Sequence, residues 1–127
     1  MKILLDTNFL LLPFTLKIDI FSQFRALDPR ASFFVLDRTM QELSYLLQKG
    51  TGKNKAAAKM AQELVERFKI KVIQTEERFK NVDQVLVDSA AKYSLSVATQ
   101  DRALQLQLKK EHIPVYRLRQ KKYVQVV

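Results

Sequence analysis

The chain has 127 residues, 47% of them hydrophobic and 28% charged, which suits one compact domain and excludes a disordered or collagen-like chain. No apolar run approaches the ~20 residues that span a bilayer, and the absence of cysteine excludes disulfides, thiolate nucleophiles and zinc sites of the Cys type. Lys and Arg outnumber Asp and Glu by 22 to 13, a net charge of +9, which points to a partner rich in phosphate, with nucleic acid as the leading candidate.

A Lys-rich surface without a dedicated ligand is the plainer alternative for that charge. The opening run Met1-Lys2-Ile3-Leu4-Leu5 is stopped by Asp6, too short for a signal peptide, so the expected location is cytoplasmic, with no membrane partner. No linker, repeat or low-complexity tract divides the chain, and residues 1–127 are expected to form a single domain.

Lys2 to Leu5 reads as a short buried strand ending at Asp6-Thr7-Asn8, a polar turn. Ile18, Phe21, Phe24 and Leu27 share one helical face, closed by Asp28-Pro29. Ser32 to Leu36 is a second strand, and Asp37 or Arg38-Thr39 is placed to cap a helix whose apolar positions are Met40, Leu43, Leu46 and Leu47. Gly50-Thr51-Gly52 breaks the chain before an Ala- and Lys-rich helix from about Lys53 to Phe68.

Ile70 to Ile73 makes a third strand, Thr75 to Asn81 is polar, and a helix beginning near Val82 runs to a turn at Ser94. Leu95 to Thr99 is a fourth strand, Asp101 to Lys110 a helix, and Ile113 to Leu118 a fifth strand. Tyr123 to Val127 reads as one more edge strand or as a tail. Alternation of strand and helix predicts an α/β fold with a mostly parallel sheet and helices on both faces, because parallel crossovers need helices as connectors.

Ligands of such sheets collect beyond the carboxyl ends of the strands. Asp6 ends the first strand and Asp101 follows the fourth, while Glu42 and Asp83 fall in the first turns of helices that the same sheet end delivers. Singly, each acid has an ordinary reading as a helix cap or as an anion near a helix dipole. Together they make an all-oxygen set.

The four segments around these acids carry a resemblance over essentially the whole chain. Leu5-Asp6-Thr7-Asn8, Gln41-Glu42-Leu43, Asp83-Gln84-Val85-Leu86 and Ala98-Thr99-Gln100-Asp101 resemble, in order, the motifs of the PIN-domain family. That nuclease fold is shared by VapC toxins and by the ribosomal-RNA endonucleases of the small-subunit processome. Phe9 to Pro13, Ile18 to Phe21 and the basic end after Ile113-Pro114-Val115 look similar to the archaeal processome-type branch. Gln84 stands where that branch often has a second acid.

The resemblance implies a three-layer α/β/α PIN-like fold with about five strands, and a metal-dependent endoribonuclease acting in ribosomal-RNA processing or as a VapC-type toxin. It also implies Mg²⁺ or Mn²⁺ as cofactor, since hard cations prefer oxygen ligands. Asp6 and Asp101 are then the direct ligands, Asp83 a ligand directly or through water, and Glu42 a water-mediated ligand or base. Asn8 and Thr99 would orient Asp6 and Asp101 by hydrogen bonds.

Asp88 lies about 140° around the helix from Asp83 and is expected to stay outside the cluster. The implied partners are RNA, an antitoxin or a ribosome-assembly protein, and a second copy of the chain in a homodimer. Arg117, Arg119, Lys121 and Lys122, with Tyr116 and Tyr123 for base stacking, are candidate RNA contacts. Lys49, Lys53, Lys55 and Lys59 are a second basic group, most simply read as a solvated face.

His112, the one histidine, reads as solvent exposed. Two other functions stay in view: a non-cleaving PIN-fold module that docks RNA or protein, and a flavodoxin-like receiver or nucleotide-binding domain. The latter would need a Gly-rich phosphate loop that Thr7-Asn8-Phe9-Leu10 does not supply.

Overall fold

Strands buried on both faces need near-continuous apolar sequence, and Ile3, Leu4, Leu5, Phe33, Val35, Leu36, Val97 and Ala98 meet that demand at 0–2% exposure. The computed structural model describes residues 1–75 and 81–127. Their order is β1 (Lys2–Leu5), α1 (Thr7–Leu10), α2 (Leu12–Thr15), α3 (Ile20–Leu27), β2 (Ser32–Leu36), α4 (Asp37–Lys49) and α5 (Gly52–Arg67). β3 (Lys71–Ile73), α6 (Val82–Tyr93), β4 (Ser96–Ala98), α7 (Arg102–Lys110), β5 (Val115–Arg119) and β6 (Tyr123–Val126) follow.

The sheet has six strands in the order β3-β2-β1-β4-β5-β6. Five run parallel, and β6 pairs antiparallel with β5 through Tyr116↔Val126 and Arg119↔Tyr123. The sixth strand exceeds the five expected. It is the C-terminal segment that had two readings, and it forms an edge.

Alternate strand residues serve two cores. Ile3, Leu5, Phe33, Val35 and Leu118 pack with Phe9, Phe21, Phe24, Leu43 and Leu64 from α1, α3, α4 and α5. Leu4, Leu36, Val97 and Val115 pack on the other face with Leu86, Ala90, Leu104 and Leu108 from α6 and α7. The layers are therefore α/β/α. Edge-to-face contacts of Phe21 with Phe33 (4.9 Å) and of Phe24 with Tyr116 (5.4 Å) knit α3 to the sheet.

Local chemistry sets the helix ends. Asp19, Asn81 and Asp101 accept from the backbone N–H groups of Ser22, Gln84 and Leu104 as N-caps. Asp37 was expected as a cap, but Leu36 holds that position and Asp37 is the first helical residue. Its carboxylate instead accepts from the backbone N–H (2.9 Å) and hydroxyl (2.7 Å) of Thr75, fastening the start of α4 to the exit of β3. Burial opposes ionisation of Asp37, yet these bonds and Arg38 hold its pKa below the ordinary value. Most of the polar stretch expected from Thr75 to Asn81 lies outside the described residues.

Strand order determines where function can sit. From β1 the chain adds β2 and β3 on one side, then α6 crosses over and the chain adds β4 and β5 on the other. The order reverses between β1 and β4, and ligands of open parallel sheets bind beyond the carboxyl ends of the strands at such a point.

Candidate active site

Asp6 leaves β1 at that reversal point. Its backbone N–H donates to the Ala98 carbonyl of β4 (3.1 Å), and its carboxylate Oδ2 accepts from the Thr99 hydroxyl (2.9 Å). The same Thr99 oxygen accepts from the backbone N–H of Asp101 (3.1 Å). One fully buried hydroxyl thus positions both strand-end acids. Thr99 is itself fixed: its N–H donates to the Tyr116 carbonyl, and the side-chain amide of Gln105 donates to its carbonyl at 2.8 Å.

Glu42 and Asp83 complete the group. Glu42 sits in the second turn of α4, one turn later than expected, because the helix begins at Asp37. The buried hydroxyls of Thr7 and Thr39 pair at 2.8 Å, and Thr7 also reaches Glu42 Oε1 at 3.4 Å. Asp83 lies in the first turn of α6.

Charge couples the four acids. Partial burial raises the Asp6 pKa, Asp83 and Asp101 add to the rise, and hydrogen bonds from Thr99 and the Thr7 backbone oppose it. Glu42 is also raised, by desolvation of its carboxyl and by Asp6, against the Thr7 bond. Asp83 is raised by desolvation and then by Asp101. Each acid lies in the field of at least one other, and all the donors are oxygen.

Among the described residues no three His, Asp or Glu side chains close into a ready-made coordination sphere. The donor set fits a hard divalent cation that keeps several of its waters.

Other expected positions divide. Asn8 is exposed, and among the described residues it makes no hydrogen bond to Asp6; Thr99 does that work for both acids. Asp88 lies outside the cluster, accepting from the Gln84 amide at 2.8 Å, while Gln84 accepts from Gln107 at 3.1 Å. His112 is exposed, with φ 58°, in the loop that enters β5 at the opposite end of the sheet.

The basic end lies on the acid side. β5 is parallel to β4, so its carboxyl end and the turn to β6 project past Thr99, with Gln100 bonded to both the N–H and the carbonyl of Leu118. Arg119, Lys121 and Lys122 are exposed there, and Tyr123 is 57% exposed. Arg117 is half-buried; among the described residues its Nε and the Oε1 of its cross-strand neighbour Gln125 have no hydrogen-bond partner. Tyr116 is unsuited to base stacking because its ring packs into the α3-side core against Phe24.

A cleft of about 850 Å³ adjoins Glu42, lined by Arg38, Gln41, Tyr45, Thr75 and Val82 among others. The sequence reading missed this cleft and the buried Thr7–Thr39 pair. The second was visible only as a polar residue, Thr39, four positions before Leu43 on an apolar helix stripe.

Fold and site together define a doubly wound α/β domain with a cluster of acids at its topological switch point. The chain belongs to the PIN-like domain family, whose pattern it matches over residues 3–121. It is 33% identical to Ribonuclease VapC9 of Archaeoglobus fulgidus over 119 residues, 94% of this chain and 84% of that protein. It is 31% identical to Ribonuclease VapC4 of Methanocaldococcus jannaschii over 129 aligned positions, covering 98% and 95%. Among solved structures, the PIN domain endonuclease Utp24 superposes with a TM-score of 0.79 at 21% identity, covering 98% of this chain and 90% of that one. At that identity the likeness speaks for the fold.

Proposed function

We propose that residues 1–127 act as one nuclease domain, a Mg²⁺- or Mn²⁺-dependent endoribonuclease of VapC type. The observation that carries this reading is the juxtaposition of Asp6 and Asp101 across the β1/β4 reversal, both held by Thr99. The ribonuclease names of the two relatives support it.

When bound among such oxygens, a divalent cation supplies charge neutralisation at a phosphate and an acidified water. Asp6 and Asp101 would hold it, with Asp83 and Glu42 beside them directly or through water. Thr99 restrains the Asp6 carboxylate and the Asp101 backbone, and the Leu104 N–H restrains the Asp101 carboxylate, before any ligand arrives, which lowers the reorganisation that binding requires. Glu42, with its raised pKa, is placed to accept a proton from the attacking water.

Arg119, Lys121 and Lys122 offer cations to the RNA backbone on the same side. Retention of all four acids favours cleavage over a purely docking role. A cytoplasmic location, an antitoxin partner and a homodimer complete the proposal.

The test compares wild type with Asp6→Asn, Asp101→Asn and Asp88→Asn on a labelled structured RNA under single turnover with Mn²⁺ or Mg²⁺. Removing a ligand charge while keeping size should lower cleavage by orders of magnitude and spare RNA binding. Asp88→Asn should cleave like wild type. Cleavage retained in both cluster variants would end the four-acid reading.

A further inference from the structure

β4 ends at Ala98, yet its neighbour β5 runs on to Arg119. The register shows which bonds a longer β4 would have made. The Thr99 N–H donates to the Tyr116 carbonyl (3.1 Å), so a continued parallel ladder would join the Leu118 N–H to the Thr99 carbonyl and then the Asp101 N–H to the Leu118 carbonyl. These groups bond elsewhere. The Gln105 side-chain amide donates to the Thr99 carbonyl (2.8 Å), and the Asp101 N–H turns back to the Thr99 hydroxyl (3.1 Å).

The side chain of Gln100 fills both vacated places. Its Oε1 accepts from the Leu118 N–H at 2.6 Å, and its Nε2 donates to the Leu118 carbonyl at 3.4 Å. A primary amide carries the same kinds of donor and acceptor as a peptide group, so Gln100 serves as a surrogate strand residue. The main chain is thereby free to leave the sheet after Ala98, which brings Asp101 into the field of Asp6 and to the start of α7.

The other end of this link is basic. Leu118 is buried in the α3-side core, and by the period of two its neighbours Arg117 and Arg119 face the opposite side of the sheet. Arg119 closes β5 and pairs with Tyr123, with Lys121 and Lys122 in the turn between them. On the far edge of this hairpin, Gln23 bonds the Lys122 carbonyl (2.6 Å) and the Val124 N–H (2.7 Å). The basic tip is fastened on both sides, to α3 by Gln23 and to the acid loop by Gln100.

We infer that Gln100 is a positioning residue that holds Arg119 and the hairpin tip at a fixed offset from Asp101, so that an RNA strand gripped by the tip presents a phosphate to the acids. The inference rests on the nuclease reading for its ligand and adds the element that sets the register between grip and cut. Gln100 acts through Arg119, because the bonds that hold Asp6 and Asp101 come from Thr99 and Leu104.

Gln100→Met, which keeps the length and removes the amide, is compared with wild type by amide hydrogen exchange, by binding of a labelled single-stranded RNA across a salt series, and by KM and kcat in Mn²⁺. Exchange at Leu118 should quicken about tenfold. Kd and KM should rise about fivefold with kcat kept, the effect of about one hydrogen bond, and the salt slope should fall by ~0.7, one phosphate contact on a single strand. In an Arg119→Ser background Gln100→Met should leave affinity, KM and salt slope unmoved. Gln100→Glu keeps the acceptor of the shorter bond and should keep the Leu118 N–H protected.

If wild type cleaves and Gln100→Met matches it in affinity, KM and salt slope, the positioning role is wrong and the nuclease reading stands. Unchanged exchange at Leu118, or effects that simply add to those of Arg119→Ser, also overturn the role. If wild type binds RNA without cleaving and Gln100→Met weakens binding only when Arg119 is present, the positioning role stands and the nuclease reading falls. Failure of wild type to bind RNA overturns both.

Discussion

Thr99 is the side chain on which the geometry of the strand-end acids depends, and replacing it by Val tests that dependence. Val keeps the shape but removes the donor to Asp6 (2.9 Å) and the acceptor for the Asp101 N–H (3.1 Å). A hydrogen bond to a charged group contributes about 1.5–3 kcal/mol, and the exposed Asp101 can recover a water partner, so the expected cost is about 2 kcal/mol. For a chain of 127 residues, 1 kcal/mol shifts Tm by about 4 °C, and Thr99→Val should therefore melt about 8 °C lower. Thr99→Ser keeps both bonds and loses only a methyl group, at about 1 kcal/mol.

Function should separate these variants further. Thr99→Val removes the bond that lowers the Asp6 pKa, so that pKa should rise and the acid limb of the rate profile should move to higher pH. Thr99→Ser should leave the profile in place, with kcat near wild type. In a double-mutant cycle with Asp6→Asn the two changes should be strongly non-additive. A Val variant with wild-type kcat and pH profile would refute the positioning role, whatever its Tm.

Mn²⁺ at about 100 times its Kd should stabilise wild type by ~2.7 kcal/mol, or about 10 °C in Tm, and should leave an Asp6→Asn/Asp101→Asn double variant unmoved; equal responses would place the ion elsewhere. Changing Arg117, Arg119, Lys121 and Lys122 together to Ser should flatten the slope of log K for RNA against log salt by up to ~3, at ~0.7 per phosphate contact on a single strand. An unchanged slope would move the RNA path to the Lys53–Lys59 face of α5.

Stability without metal should depend on pH in two opposite ways. The raised Asp6 pKa means that the folded state holds its proton more tightly, so stability from this group falls as pH climbs from its ordinary value of 3.8 through the raised one. Asp6→Asn should therefore melt above wild type at pH 7 and lose that advantage below about pH 4. Asp37→Asn should do the reverse, because the lowered pKa of Asp37 contributes stability that is present at neutral pH and lost in acid. Melting curves across pH decide both signs.

The central strands were legible because burial on both faces leaves no polar positions in them, and the helices because their apolar residues recur at three and four. α1 and α2, at four residues each, complete barely one turn and leave no periodic pattern. β6 stayed ambiguous for a different reason: its place depends on pairing with β5 and on Gln23 of α3, whose amide bonds the Lys122 carbonyl and the Val124 N–H. Those contacts span about a hundred residues, and neither partner marks the other in the sequence.

The same division runs through the candidate site. Asp6 and Asp101 stood out because each follows a strand, but nothing local shows that β1 and β4 are neighbours; that adjacency arises when α6 carries the chain to the other side of β1. Asn8 was chosen for its amide and its closeness to Asp6 in sequence, yet one residue is about 100° on a helix. That rotation sends Thr7 inward to Thr39 and Glu42 and turns Asn8 to solvent. Tyr116 failed as a stacking platform for the analogous strand reason: with a period of two, the face that buries Leu118 buries Tyr116 as well. Residue type and position after a strand nominated the acids, whereas the groups that hold them were selected by face. Face follows from where each element begins, which is why a helix that starts at Asp37 rather than two residues later decides which hydroxyls meet Glu42.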